Sequence, residues 1–131
     1  MFKKILFTGI CFVGFSASAA TCNGTTITAV DGTQYCWSTK TMNWWSAFAW
    51  CDAQGMKLVR MEEECYGHGS TPISGDGCPN FDETRVQWPT WMNFWTANTD
   101  GANDKAYKVG HYSSMVEPHL RTNLLHALCR L

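Results

Sequence analysis

Between residues 42 and 61 the chain reads MNWWSAFAWCDAQGMKLVRM, and its apolar positions recur with a helical period. Trp44, Ala47, Phe48 and Cys51 fall at i, i+3, i+4 and i+7, one face of an amphipathic helix running from about Trp44 to Gln54. Asn43 is placed to cap it, because its short side chain can accept a hydrogen bond from a free amide of the first turn. Gly55 supplies the positive φ that closes a helix, after which Leu58 and Val59 enter a short strand. Elsewhere the period shortens. Residues 25–30 and 33–37 are β-branched and aromatic on either side of Asp31-Gly32, a hairpin signal. A tight turn there sets Ile27 opposite Cys36, so Cys22 reaches Cys36 only by curling back at Asn23-Gly24. Residues 91–98 and 105–111 read as strands joined at Asp100-Gly101, Ser113-Ser114 marks another turn, and Leu124, Leu128 and Cys129 are apolar positions of a last strand. Residues 62–90 lose all pattern to Gly, Ser, Pro, Asp and charge. They read as a long loop stapled by Cys65 and Cys78, with a helical turn or two around residues 82–87 that Pro89 ends.

The first residues change the picture. Lys3 and Lys4, the apolar run over residues 5–15 and the small residues 16–20 are the three regions of a secretory signal peptide, so residues 1–20 are expected to be a leader and residues 21–131 one domain. Without Lys3 and Lys4, eight basic residues face eleven acidic ones, a net charge of about −3, which offers no footprint for nucleic acid or an anionic membrane. Without Cys11, six cysteines remain: Cys22, Cys36, Cys51, Cys65, Cys78 and Cys129. An even set on a short exported chain reads as a disulfide framework, hence a secreted or periplasmic protein.

Taken together, Tyr35-Cys36-Trp37 closing a hairpin, the helix signature Met42, Trp44, Ala47, Cys51, Gly55 and Leu58, the aromatic strand Trp95-Thr96-Ala97-Asn98, and the terminal Ala127-Leu128-Cys129 resemble the C-type-lectin-like domain in its compact bacterial form. The resemblance covers nearly the whole of residues 21–131. It implies an α+β, C-type-lectin-like fold with small antiparallel sheets around one main helix, and a Cys51–Cys129 disulfide between that helix and the final strand. With Cys22–Cys36 local, Cys65–Cys78 is the pair left. Calcium-dependent sugar-binding members carry an acid-Pro-Asn or Gln-Pro-Asp triplet and then Trp-Asn-Asp in a long loop. Here Glu117-Pro118-His119 is the only echo, and an imidazole is a poor ligand for a hard cation. The compact form implies a ligand-binding module, of adhesion or recognition type, that works without calcium.

Candidate chemistry points the same way. No nucleophile elbow or phosphate loop is present, Glu62-Glu63-Glu64 reads as a solvated run, the four histidines lack a helical metal pair, and Asp100, Asn103 and Asp104 read as turn residues. No catalytic residue, metal or cofactor is therefore expected. Among the tryptophans, Trp37, Trp44 and Trp95 read as core, while Trp88 and Trp91 flank Pro89 beside a loop and are candidates for stacking on a ligand. Tyr112, Glu117, His119, Arg121 and Asn123 are candidates for a protein- or glycan-binding surface, since aromatic and Arg side chains carry much of the energy of interfaces. The competing readings are a small structural subunit of a pilus or surface assembly and, less favoured, a small hydrolase.

Overall fold

The computed structural model describes residues 20–65, 78–81, 86–89, 93–101, 104–110 and 116–131. The leader through residue 19, Trp91, Tyr112, Ser113-Ser114 and residues 82–85 lie outside the described residues. In chain order the elements are β1 (Thr25–Thr28), β2 (Gln34–Trp37), α1 (Trp44–Asp52), β3 (Lys57–Leu58), α2 (Met61–Glu64), a 3₁₀ turn (Pro79–Phe81), β4 (Phe94–Thr99), β5 (Lys105–Val109), β6 (Val116–Leu120) and β7 (His126–Arg130). The fold is α+β, with one seven-stranded sheet in the order β1-β2-β7-β4-β5-β6 and β3 also paired to β7.

The terminal strand is the centre of this sheet. Its residues Tyr35↔Arg130, Cys36↔Cys129 and Trp37↔Leu128 pair antiparallel with β2 on one edge. On the other edge it pairs antiparallel with β3 through Cys129 and Arg130 and parallel with β4 through His126 and Ala127. The parallel β4–β7 pair and the single sheet depart from the small antiparallel sheets expected. They arise because β3 is only two residues long, which leaves the first half of the β7 edge for another strand. Residues 126–129 are all buried, as a strand covered on both faces requires.

Two cores result. One face of the sheet gathers Cys36, Leu58, Trp95, Ala106, Ala127 and Cys129 under Ala47 and Cys51 of α1. The other gathers Ile27, Tyr35, Trp37, Phe94, Val109 and Leu128 under Met61, Cys78, Phe81 and Val86. α1 begins as expected, with the Asn43 side chain accepting from Ser46 N–H at 2.9 Å. The end unwinds through Gly55 N–H to Asp52 O and Met56 N–H to Cys51 O, with Gly55 at φ +73°, so regular helix stops at Asp52 rather than Gln54. The disulfides are Cys22–Cys36, Cys51–Cys129 and Cys65–Cys78.

The hairpin register differs by one residue from the expected one: Thr26, not Ile27, stands opposite Cys36. Ala29 N–H bonds to Thr33 O, and Gly32 takes φ +92°, so three residues close the loop, with glycine in the left-handed position. Cys22 still curls back at Gly24. A Cβ on Gly24 would lie 2.0 Å from the Trp37 carbonyl oxygen, so only glycine lets the chain pass that close.

Candidate functional site

The start of α1 and the turn between β6 and β7 are sewn together by backbone. Met42 and Leu125 exchange N–H to O=C bonds at 2.8 and 3.0 Å, and Trp44 N–H donates to Arg121 O at 3.0 Å. Trp44 lies half-buried in the seam, its indole N–H donating to Thr96 O at 2.9 Å. The Arg121 guanidinium carbon stands 4.7 Å from the Trp44 ring centroid, and Arg121 Nε donates to Lys105 O at 2.9 Å, so the cation is held over the aromatic face. Trp45 and Phe48 pack edge-on against Trp44, at 5.8 and 4.8 Å between ring centroids. Trp45 is 50% exposed, Leu120 42% and Leu124 62%; the two leucines belong to the same β6–β7 turn as Arg121, and Trp45 follows Trp44 at the start of α1.

Polar groups continue the surface along β6. Asn123 and His119 meet at 2.9 Å, and His119 lies beside the buried Trp95 ring. Burial first, then the Lys108 ammonium, pushes the His119 imidazole below its ordinary pKa, and Glu117 opposes them. Lys108 bridges Glu117 at 3.2 Å and Asn93 at 2.8 Å. Glu117 and His119 thus stand on an edge strand, and Pro118 fits because an edge strand needs no donor on its open side.

Of the sequence candidates, His119, Arg121 and Asn123 come together on this surface, with Glu117 next along the strand. Trp88 does not join them. It packs in the opposite core, stacked on Phe94 at 5.7 Å and edge-on to Trp37 at 5.1 Å. Trp45, Leu120 and Leu124 were missed. Trp45 had a signal, since position 45 falls outside the 44, 47, 48, 51 stripe and so faces outward on a helix.

The acidic run is not a solvated one. Glu64 is buried and bonds to the Tyr35 hydroxyl, Asn80 and Arg130, while Glu62 bonds Asn98 and Arg60. Only Glu63 of the three is exposed. Burial and then the bond to Glu64 push the Tyr35 phenol far above its ordinary pKa. This network ties α2 to the terminal strand. His126 is buried, its Nδ1 2.6 Å from Ser38 O and its ring stacked on Trp37 at 4.3 Å. Among the described residues no group of three or more His, Cys, Asp or Glu could hold a metal ion, and no helix is long and apolar enough to cross a membrane.

No family model matches the chain, and neither the curated proteins nor the solved structures contain a match to it.

Proposed function

We propose that this chain is an exported, non-catalytic binding module of compact C-type-lectin-like form, whose ligand is a protein bound without calcium by the surface around Trp45, Arg121 and Leu124. The observation that carries the reading is the exposure of Trp45, Leu120 and Leu124 on the two segments that the Arg121 guanidinium, fixed on Trp44, joins. Trp and Arg beside exposed aliphatic side chains have the composition of an interface centre, and two exposed leucines favour a protein over a sugar, which stacks on aromatic faces. His119, Asn123 and Glu117 form the polar rim. The three disulfides fit an oxidising compartment. Glu64, the most buried carboxylate among the described residues, is consumed by structural bonds, which supports a module without catalysis. The test is an array of extracellular proteins and glycans probed with oxidised protein, with and without chelator. Protein spots insensitive to chelator, weakened at least tenfold by Trp45→Ala and Leu124→Ser in variants that keep the parent melting temperature, are expected. Binding that both variants retain, or that chelator abolishes, would overturn the reading.

A further inference from the structure

The sheet ends at β1, and its outer edge is built to take another strand. Ala29 N–H turns inward to Thr33 O, and Val30 N–H turns outward to Asn80 O at 3.2 Å. Alternation along an antiparallel strand then turns Ile27 and Thr25 toward β2 and directs the N–H and C=O of Thr28 and Thr26 outward. Those outward groups have no hydrogen-bond partner among the described residues. They border a groove of about 980 Å³ whose other wall is Val86, Gln87, Trp88 and Pro89. Proteins ordinarily blunt such an edge with Lys, Pro or a bulge, but the β1 sequence, TTIT, has no charge and no proline.

We infer that this groove is a strand-addition site, separate from the Trp45 surface, that takes an uncharged extended peptide of about five residues, the usual strand length. Two features select that occupant. Donors and acceptors recurring every second residue are matched by an extended backbone and by no compact ligand. Among the described residues the groove is also lined by no ionisable side chain, so a charged residue set against them would lose water without gaining a partner. Affinity comes from main-chain bonds to Thr26 and Thr28, and selectivity from the side chain laid against Val86 and Trp88.

The probe is a capped Thr-Val-Thr-Val-Thr peptide flanked by lysines and N-methylated on alternate residues. One edge of that peptide can still pair, while the peptide cannot stack on itself. Titration followed by tryptophan fluorescence and by calorimetry should show saturable binding. The same peptide methylated on every residue should bind at least tenfold more weakly. Thr26→Pro, which removes one outward N–H and is tolerated on an edge strand, should weaken the first peptide by a similar factor. Absence of saturable binding, or equal binding of both peptides, would overturn the inference, and undiminished binding by a folded Thr26→Pro variant would do the same. Should that variant fail to fold, the peptide pair alone decides.

Discussion

The two faces of the sheet are covered by opposite means. On one, a regular helix caps itself with Asn43, and two disulfides fix it and the N-terminal arm to neighbouring strand positions, Cys129 and Cys36. The indole N–H groups of Trp44 and Trp95 there are satisfied, Trp44 by Thr96 O and Trp95 by Met42 O. On the other face the cover is one turn of helix, a 3₁₀ turn and the short segment through Trp88, held by Cys65–Cys78 and the Glu64 network. The indole N–H groups of Trp37 and Trp88 are buried there and have no acceptor among the described residues. One face is organised by local rules of helix formation, and the other by long-range polar bonds that compensate for missing regular structure.

The largest consequence of that contrast lies in the cross-links. Cys51 and Cys129 are 78 residues apart and Cys65 and Cys78 only 13, so loop-closure entropy assigns about 4.5 kcal/mol to the first bond and about 3 kcal/mol to the second. Paired Cys→Ala variants compared by denaturant unfolding should keep that order. The opposite order would mean that the irregular cover contributes more to global stability than the helix does.

Glu64 comes next. Its carboxylate is buried with Arg130, the Tyr35 hydroxyl and Asn80 as donors, so Glu64→Ala strands three polar partners and should cost about 3 kcal/mol. Glu63, whose side chain is 48% exposed and 3.7 Å from the same guanidinium, should cost under about 0.5 kcal/mol. Equal losses at the two positions would remove the network from its place as the anchor of this face.

A smaller difference separates the indoles. Trp95→Phe removes one of the two bonds that the Met42 carbonyl accepts, the other coming from Leu125 N–H, whereas Trp88→Phe removes a donor that has no acceptor among the described residues. The first should cost about 1–2 kcal/mol more than the second in thermal or chemical unfolding. A Trp88→Phe variant as unstable as Trp95→Phe would show that both faces are equally satisfied.

The same contrast decides what could be read from the chain alone. α1 was legible because its cap, period and stop lie within about a dozen neighbouring residues; Cys22–Cys36 was legible as a local pair, Cys51–Cys129 only as what a resemblance implied, and Cys65–Cys78 as the pair left. The hairpin was legible but slipped by one residue, because Asp31-Gly32 is equally suited to a tight turn and to the three-residue loop that forms. β6 was hidden by Pro118 and its mixed polarity, which only an edge position accommodates. The fate of Glu64 depends on Arg130, 66 positions away, and no local pattern encodes that. At the candidate surface, Arg121 and Asn123 were found through residue type. Trp45 and Leu124 belong to it through the Met42–Leu125 pairing, which joins segments some 80 residues apart.

The smallest effect is a matter of pH, and among the described residues each face supplies one histidine. His126 is stacked on Trp37 in the irregular face, and burial pushes its pKa down against the opposing pull of the Ser38 carbonyl. His119 lies on the helix-covered side, less buried and also lowered. A histidine whose pKa is lower in the folded state binds fewer protons there than in the unfolded chain. Its contribution is therefore fully present above the unfolded value of about 6.5 and is lost as pH falls through the folded one. Melting temperature should then fall between pH 7.5 and 5.5, a window above that in which Asp31 and Glu62, whose pKa values are lowered, lose their contributions. His126→Phe keeps a ring on Trp37 and removes the proton site, so it should flatten this slope more than His119→Gln does. A slope unchanged in His126→Phe but abolished in His119→Gln would place the pH sensitivity on the candidate binding surface, and the irregular face would then be held by its polar bonds without a titrating histidine among them.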